Sequence, residues 1–291
     1  MRLAIYILAQ IQIQEIKKVS NSYIMPNKTL ENNIKLSPYF VAYLDILGTT
    51  DSINSEKSEE VLNNIRELYN DTMNLLKENA KNLYHIDVKY KIFSDNIVIA
   101  IPKELHTGLL DVETKSYYIM LFVSFIQLIA LKYSFLIRGS IAVDDLYIDE
   151  NFIYGKALTK TYKLESEVSV YPRIVINPKD IHLFTKSDTQ REVIEKDNAN
   201  IYYLNPFEFY KKYVTSQALE TFMQIIKENL EHCLSENNNE KINQKICWFI
   251  NMYNKFCNDN NLENCIINIE DYPYPYSKTE TIVTGIAREF I

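Results

Sequence analysis

Two apolar runs, each carrying a single carboxylate near its end, constrain this chain more than any other feature. Tyr39 to Asp51 reads YFVAYLDILGTTD and carries Asp45; Val88 to Ile101 reads VKYKIFSDNIVIAI and carries Asp95. A carboxylate inside an otherwise apolar strand is costly unless it is paired or holds a cation. Both lie beside turn signals, Gly48-Thr49-Thr50 after the first and Ser94-Asp95-Asn96 inside the second. The expectation is two strand ends that meet at one cation site.

The order of elements around these runs predicts an α+β, ferredoxin-like βαββαβ unit. A strand over 39–47 leads into a helix with apolar positions Val61, Leu62, Ile65, Leu68, Tyr69, Leu75 and Leu76, spaced for one face. Strands over 84–93 and 96–101 follow, joined by a short hairpin with Asp95 at its tip. A helix over 112–133 contains IMLFVSFIQLIAL, apolar nearly all round, and is expected to be buried. Strands over 134–143 and 146–154, separated by a polar turn, complete the unit. Beyond it, 155–168 reads as a short helix with Leu158, Tyr162 and Leu164 facing inward. YPRIVINP and IYYLNPFEF read as further strands, 216–234 and 241–257 as helices, and TIVTGIA as a last strand. The domain reading is an N-terminal extension over 1–36, a catalytic domain over 37–214 and a helical C-terminal appendage over 215–291.

Composition narrows the partners. The 291 residues carry a net charge of −7 with pI near 5.3, which argues against nucleic acid or an anionic membrane surface. The four cysteines, Cys233, Cys247, Cys257 and Cys265, lack CxxC spacing and neighbouring histidines, so they read as buried free thiols in a reducing compartment. The apolar start MRLAIYILAQIQIQEIKKVS is broken by Gln10, Gln12 and Gln14 and has no small-residue cleavage site. It reads as a helix, an edge strand or residues upstream of a start at Met25. No segment beyond it is expected to be of transmembrane length, and the expected location is cytoplasmic.

In a ferredoxin-like sheet the end of the first strand lies beside the tip of the second hairpin. Asp45 and Asp95 would then bridge two divalent cations, Mg²⁺ or Mn²⁺, about 3.5–4 Å apart, a separation suited to in-line phosphoryl transfer. The backbone carbonyl of Ile46 falls beside the same site. Gly48 and Thr49, opening a helix, offer N–H and hydroxyl donors to phosphate oxygens. The plainer alternative makes Asp45 a helix cap and Asp95 a turn residue.

LDILG before a helix, KIFSDN at a hairpin tip, RGSIAVDD, YGKALTKTYKLES and YPRIV, in that order, resemble class III nucleotide cyclase catalytic domains over about residues 38–205. Within that family the chain is most similar to bacterial pyrimidine cyclases of the Pycsar antiphage system. The resemblance implies a homodimer with active sites at the subunit interface, two metals, and conversion of UTP or CTP to the 3′,5′-cyclic monophosphate and pyrophosphate. It also implies a separate effector that reads the cyclic product. A purine (adenylate or guanylate) cyclase and a non-catalytic nucleotide-binding dimerisation module are the competing readings.

By the same resemblance, Asp45 and Asp95 match the metal-binding aspartates and Ile46 the residue lending a carbonyl. Lys91 falls where purine cyclases keep a base-reading lysine; the alternative is a solvated strand lysine. Thr159 and Lys163 stand where those enzymes carry an Asn and a transition-state Arg, and lysine supplies a point charge without the guanidinium fork. Phe152 replaces an acidic adenine-reading residue and cannot accept a hydrogen bond from an exocyclic amine, which weakens the case for adenine. Tyr43 reads as a base or sugar contact or as core. Arg138 reads as a phosphate or base contact or as one arm of an ion pair. The choice favours UTP over CTP.

Overall fold

The computed structural model describes residues 34–49, 58–77, 87–104, 110–236 and 239–269. The expectations for the N-terminal extension, for Thr50 and Asp51, for the start of the second strand and for TIVTGIA lie outside these residues.

Among them the chain forms β1 (Ser37–Ile46), α1 (Ser58–Asn74), β2 (Lys89–Phe93), β3 (Asn96–Pro102), α2 (Val112–Lys132) and β4 (Ile137–Ile148). The sheet order runs β2-β3-β1-β4, with β1 antiparallel to both β3 and β4. That is the βαββαβ arrangement the apolar runs predict. β6 (Ile174–Ile176) then joins β4 in parallel, and β8 (Tyr202–Leu204) and β7 (Ile194–Lys196) extend the sheet.

Alternation along β1 divides its side chains between two faces. Phe40, Ala42, Leu44 and Ile46 enter the main core with the apolar side of α1 and nearly all of α2. Tyr39, Val41 and Tyr43 point the other way, into a smaller cluster with Val98, Ala100 and Ala157. α2 is 21 residues long and contains an 18-residue stretch of mean hydropathy 1.4, long and apolar enough to cross a bilayer, which corrects the expected absence of such a segment. Its burial is as expected, since 83% of its apolar window lies inside the protein. Asp111 caps it by accepting a hydrogen bond from the Thr114 amide at 2.7 Å.

Four local expectations need correcting. The polar turn expected near Asp144-Asp145 is instead the middle of one continuous strand, β4, because Tyr39 and Pro38 of β1 pair opposite these residues. Asp144 tolerates the strand by turning to Lys160, 3.1 Å away. Only the two-residue β5 (Ile153–Tyr154) remains of the next strand, folded back on Tyr147 and Ile148. In α3 (Lys156–Val168), Leu164 is buried as expected, but Tyr162 is 53% exposed. In α1, Leu62 also faces solvent.

The short helices α4 (Asp188–Arg191) and α5 (Pro206–Lys211) precede α6 (Ser216–Glu236) and α7 (Glu240–Asp259). Phe222, Met223 and Leu230 of α6 and Ile246, Phe249 and Ile250 of α7 belong to the same buried cluster as α2. All four cysteines are unbridged, three of them buried.

Candidate active site

Strand register builds the site. Asp45 pairs with Asn96 on one side and Arg138 on the other, so it sits at the last turn of a three-stranded ridge. Asp95 occupies the β2–β3 turn next to Asn96, and its main-chain carbonyl accepts from the Ile46 amide at 3.1 Å. Ser94 supplies the turn with φ of 55°. The two aspartates are thereby held side by side by backbone pairing rather than by side-chain reach. Beyond β1, Gly48 adopts φ of 85°, a left-handed conformation that glycine takes at no steric cost. That turn brings Thr49 back to donate its hydroxyl to Asp95 Oδ2, while Asn96 Nδ2 donates to Asp95 Oδ1 at 3.0 Å.

Arg138 stands between two carboxylates. Its Nε donates to Asp45 Oδ2 at 2.9 Å and lies 2.7 Å from Glu165 Oε1 of α3, which receives the charge without a directed hydrogen bond. Burial pushes the Asp45 carboxyl above its usual range against the pull of the Arg138 hydrogen bond. Burial raises Glu165 further, to about 7, with Arg138 opposing. The Tyr43 hydroxyl is pushed up to about 12 by burial first and by the charge of Glu165 second.

An aromatic corner adjoins the carboxylates. Tyr43 packs edge-on against Tyr162 at 5.6 Å and tilted against Phe93 at 6.4 Å. Phe93 and Tyr162 are both about half exposed. Lys91, on the same sheet face as Tyr43, donates to the Glu150 carbonyl in the β4–β5 turn. Phe152 leaves that turn to pack on Tyr147 at 5.1 Å.

Thr159 and Lys163 lie elsewhere. They line a cleft of about 570 Å³ on the flank of α3 that carries Lys156 and Lys160, together with Asp144, Tyr154 and Lys179. Glu165 and Tyr162, by contrast, contact Arg138 and Tyr43. One chain thus gathers Tyr43, Asp45, Ile46, Gly48, Thr49, Asp95 and Arg138 at one place, sets Lys91 at its edge, and puts Thr159 and Lys163 around the helix from it.

The donor set fits a hard divalent cation. Two carboxylates and the Ile46 carbonyl offer oxygen only, with no thiolate or imidazole to favour a softer metal. Among the described residues no group of three or more His, Cys, Asp or Glu side chains is placed to hold a metal. A cation here would therefore take its remaining oxygens from water and phosphate, as Mg²⁺ commonly does.

Glu165, Phe93 and Tyr162 escaped the reading of sequence. Glu165 falls in the KLES string, where a lone glutamate on a helix looks solvated, and only the fold shows it meeting Arg138. Tyr162 carries the spacing of a core residue, which disguised its openness.

No family model matches the sequence, and no curated relative does. Solved structures do. The monomeric guanylyl cyclase domain of the RhoGC fusion protein from the aquatic fungus Blastocladiella emersonii aligns at 12% identity and a TM-score of 0.43, covering 58% of this chain and 95% of that one. A class III adenylyl cyclase-like ATP-binding protein from Pseudomonas aeruginosa aligns at 14% identity and a TM-score of 0.40, over 81% of this chain and 52% of that one. A bacterial light-regulated adenylyl cyclase aligns at 14% identity and a TM-score of 0.41, over 68% and 59%. At these scores the fold stands on the chain's own topology.

Proposed function

We propose that this chain is a nucleotide cyclase that converts UTP or CTP to the 3′,5′-cyclic monophosphate and pyrophosphate. The observation that carries the reading is the pairing of Asp45 and Asp95 at adjoining strand ends, fixed by the register of β1 with β3 and by the Ile46–Asp95 main-chain hydrogen bond. Asp45, Asp95 and the Ile46 carbonyl would hold two divalent cations, Mg²⁺ or Mn²⁺, which supply charge neutralisation and an acidified 3′-hydroxyl when bound.

The chain's own groups do the rest. Thr49 and Asn96 orient Asp95, and Arg138 orients Asp45, so neither carboxylate must reorganise when charge develops at the α-phosphorus. The turn at Gly48 adjoins them and is the proposed seat of phosphate oxygens. Tyr43, Phe93 and Tyr162 offer a face on which a base stacks. Lys91 marks the base-reading edge, and Phe152 beside it has no acceptor for an exocyclic amine, which weighs against adenine. Thr159 and Lys163 lie across α3 from the aspartates, so they complete the site only if a second copy supplies them. That placement supports a homodimer with two composite sites. Lys163 and its neighbours Lys156 and Lys179 then bring positive charge to the triphosphate without an arginine fork. The reading retains the wider role, a cytoplasmic second-messenger synthase in antiphage defence whose product is read by a separate effector.

Incubation with Mn²⁺ and each of the four ribonucleoside triphosphates, with products resolved by chromatography and mass, tests the reaction and names the base. Cyclic UMP or CMP, absent with Asp95→Ala, is the expected result. Cyclic AMP or GMP would keep the chemistry and overturn the pyrimidine assignment. A folded protein that binds nucleotide and releases no product would replace the enzyme with a binding module.

A further inference from the structure

Asp45 and Asp95 are not held alike. Asp45 lies within β1, paired with Asn96 on one side and Arg138 on the other. Asp95 lies in the turn between β2 and β3, beyond the last pair of their ladder, Phe93 with Asn96. That turn is not fixed by its own residues. Ser94 adopts φ of 55°, a left-handed conformation that a residue other than glycine seldom takes unaided. Exposed turns open at low free-energy cost, whereas a carboxylate that meets a cation needs its place fixed to within about 0.5 Å. The hairpin therefore depends on contacts from outside it.

Two other elements supply them. The Ile46 amide of β1 donates to the Asp95 main-chain carbonyl at 3.1 Å, and the Tyr69 hydroxyl of α1 donates to the Ser94 main-chain carbonyl at 2.6 Å. The first bond holds the peptide that leaves Asp95; the second holds the peptide that enters it. A residue has only two soft backbone dihedrals, so holding both flanking peptides sets the direction in which Asp95 sends its side chain. Thr49 and Asn96 then hold the carboxylate itself. Tyr69 is only partly buried, and water would satisfy its hydroxyl; it is aimed at the turn instead. Its helix is a firm base. Leu68 is buried in the main core, and Asp71 accepts from Tyr133 at 2.7 Å and from Lys132 at 3.0 Å at the end of α2.

We propose that Tyr69 is a positioning residue for the cation site, its hydroxyl fixing the peptide that leads into Asp95 and with it the aim of that carboxylate. The assignment rests on the nucleotide-cyclase reading and deepens it. Tyr69 touches neither cation nor nucleotide; it acts through the Ser94 carbonyl. It makes α1 part of the site's frame, so that β1 through Ile46 and α1 through Tyr69 carry Asp95 between them. Without the phenol hydroxyl the Ser94–Asp95 peptide is free to rotate, and the Asp95 carboxylate spends less time converging with Asp45. The loss falls on the cation first, because Asp45 keeps its own strand pairing and its bond from Arg138.

The test compares wild type with Tyr69→Phe, which removes the hydroxyl and keeps the ring. Tyr133→Phe is the control: it deletes the same atom from the α1–α2 tether, where Lys132 still holds Asp71. Two quantities are read besides melting temperature. One is the affinity of the free protein for Mn²⁺ alone, from loss of the free-ion paramagnetic resonance signal; the other is turnover of the preferred triphosphate as Mn²⁺ is varied. Tyr69→Phe is expected to weaken Mn²⁺ about 3- to 10-fold in both, the range that one neutral hydrogen bond supplies. KM for the triphosphate at saturating Mn²⁺ should hold, Tyr133→Phe should bind Mn²⁺ as wild type does, and the two variants should melt alike. Wild-type Mn²⁺ dependence in Tyr69→Phe, with wild type active, would overturn the assignment and leave the cyclase reading standing. Equal weakening in Tyr69→Phe and Tyr133→Phe would also overturn it, by tracing the effect to the placement of α1 rather than to the Ser94 bond. Weakened Mn²⁺ binding in Tyr69→Phe alone, with no cyclic product from wild type, would refute the cyclase reading and uphold Tyr69. A wild type that binds no Mn²⁺ and makes no product would refute both.

Discussion

Arg138 is the residue on which the site's internal balance depends, because one Nε faces both Asp45 and Glu165. Arg138→Ala leaves two largely buried carboxylates without their cation and is expected to lower stability by about 1–3 kcal/mol, read by chemical denaturation. Asp45→Ala and Asp95→Ala instead remove the proposed cation ligands at strand ends that backbone pairing already holds. Turnover should fall by about 100-fold or more with the melting temperature little changed; near-normal turnover in either would sink the metal assignment. Glu165 gives a pH signature. Its folded-state pKa of about 7 lies above its ordinary 4.5, so the folded chain keeps this proton longer than the unfolded one. Stability in metal-free buffer should therefore decline as pH rises from 4.5 to about 7 and level off above it, and Glu165→Gln should flatten that slope. A wild-type slope that survives in Glu165→Gln would assign it to another group. Asp45, Asp95 and Gly48 were legible because each breaks an apolar pattern with a residue that needs a reason to be there. Glu165 breaks nothing locally; its meaning comes from a chain crossing that the spacing of residues does not encode.

At the scale of elements, the glycine that opens α3 is the sharpest constraint. Gly155 has φ of 150°, and a Cβ there would lie 2.4 Å from the Asp145 carbonyl oxygen of β4. Gly155→Ala is expected to cost about 1–3 kcal/mol of stability, and because α3 carries Glu165, Tyr162 and Lys163, activity should fall with it. Wild-type melting in that variant would show that the α3–β4 junction yields more readily than its geometry implies. The six elements of the βαββαβ unit could be read from pattern because each alternates or repeats over a long enough stretch. β4 was misplaced because Asp144-Asp145 mimics a turn, and only the pairing with β1 overrides that local signal. β7, three residues long and carrying Glu195 and Lys196, has too short a pattern to be recognised before β8 lies beside it.

For the whole molecule, the carboxylate site and the lysine-lined cleft occupy opposite flanks of α3, so on the proposed dimeric reading a single copy holds two unlike halves. α6 and α7 share the main core with the sheet. No alternation or helical stripe could disclose the separation of the halves, since Thr159 and Lys163 sit within six residues of Glu165 and differ from it only in helical phase. The most direct measurement mixes two inactive variants. Asp95→Ala spoils the carboxylate half, and Lys163→Ala with Thr159→Ala spoils the other; each alone should form a folded dimer with little or no turnover. Co-expressed with different tags and purified as the mixed dimer, they should regain cyclic pyrimidine monophosphate synthesis, because one of the two composite sites is then intact. A mixed dimer as inactive as its parents, with the wild-type dimer active under the same conditions, would contradict the account.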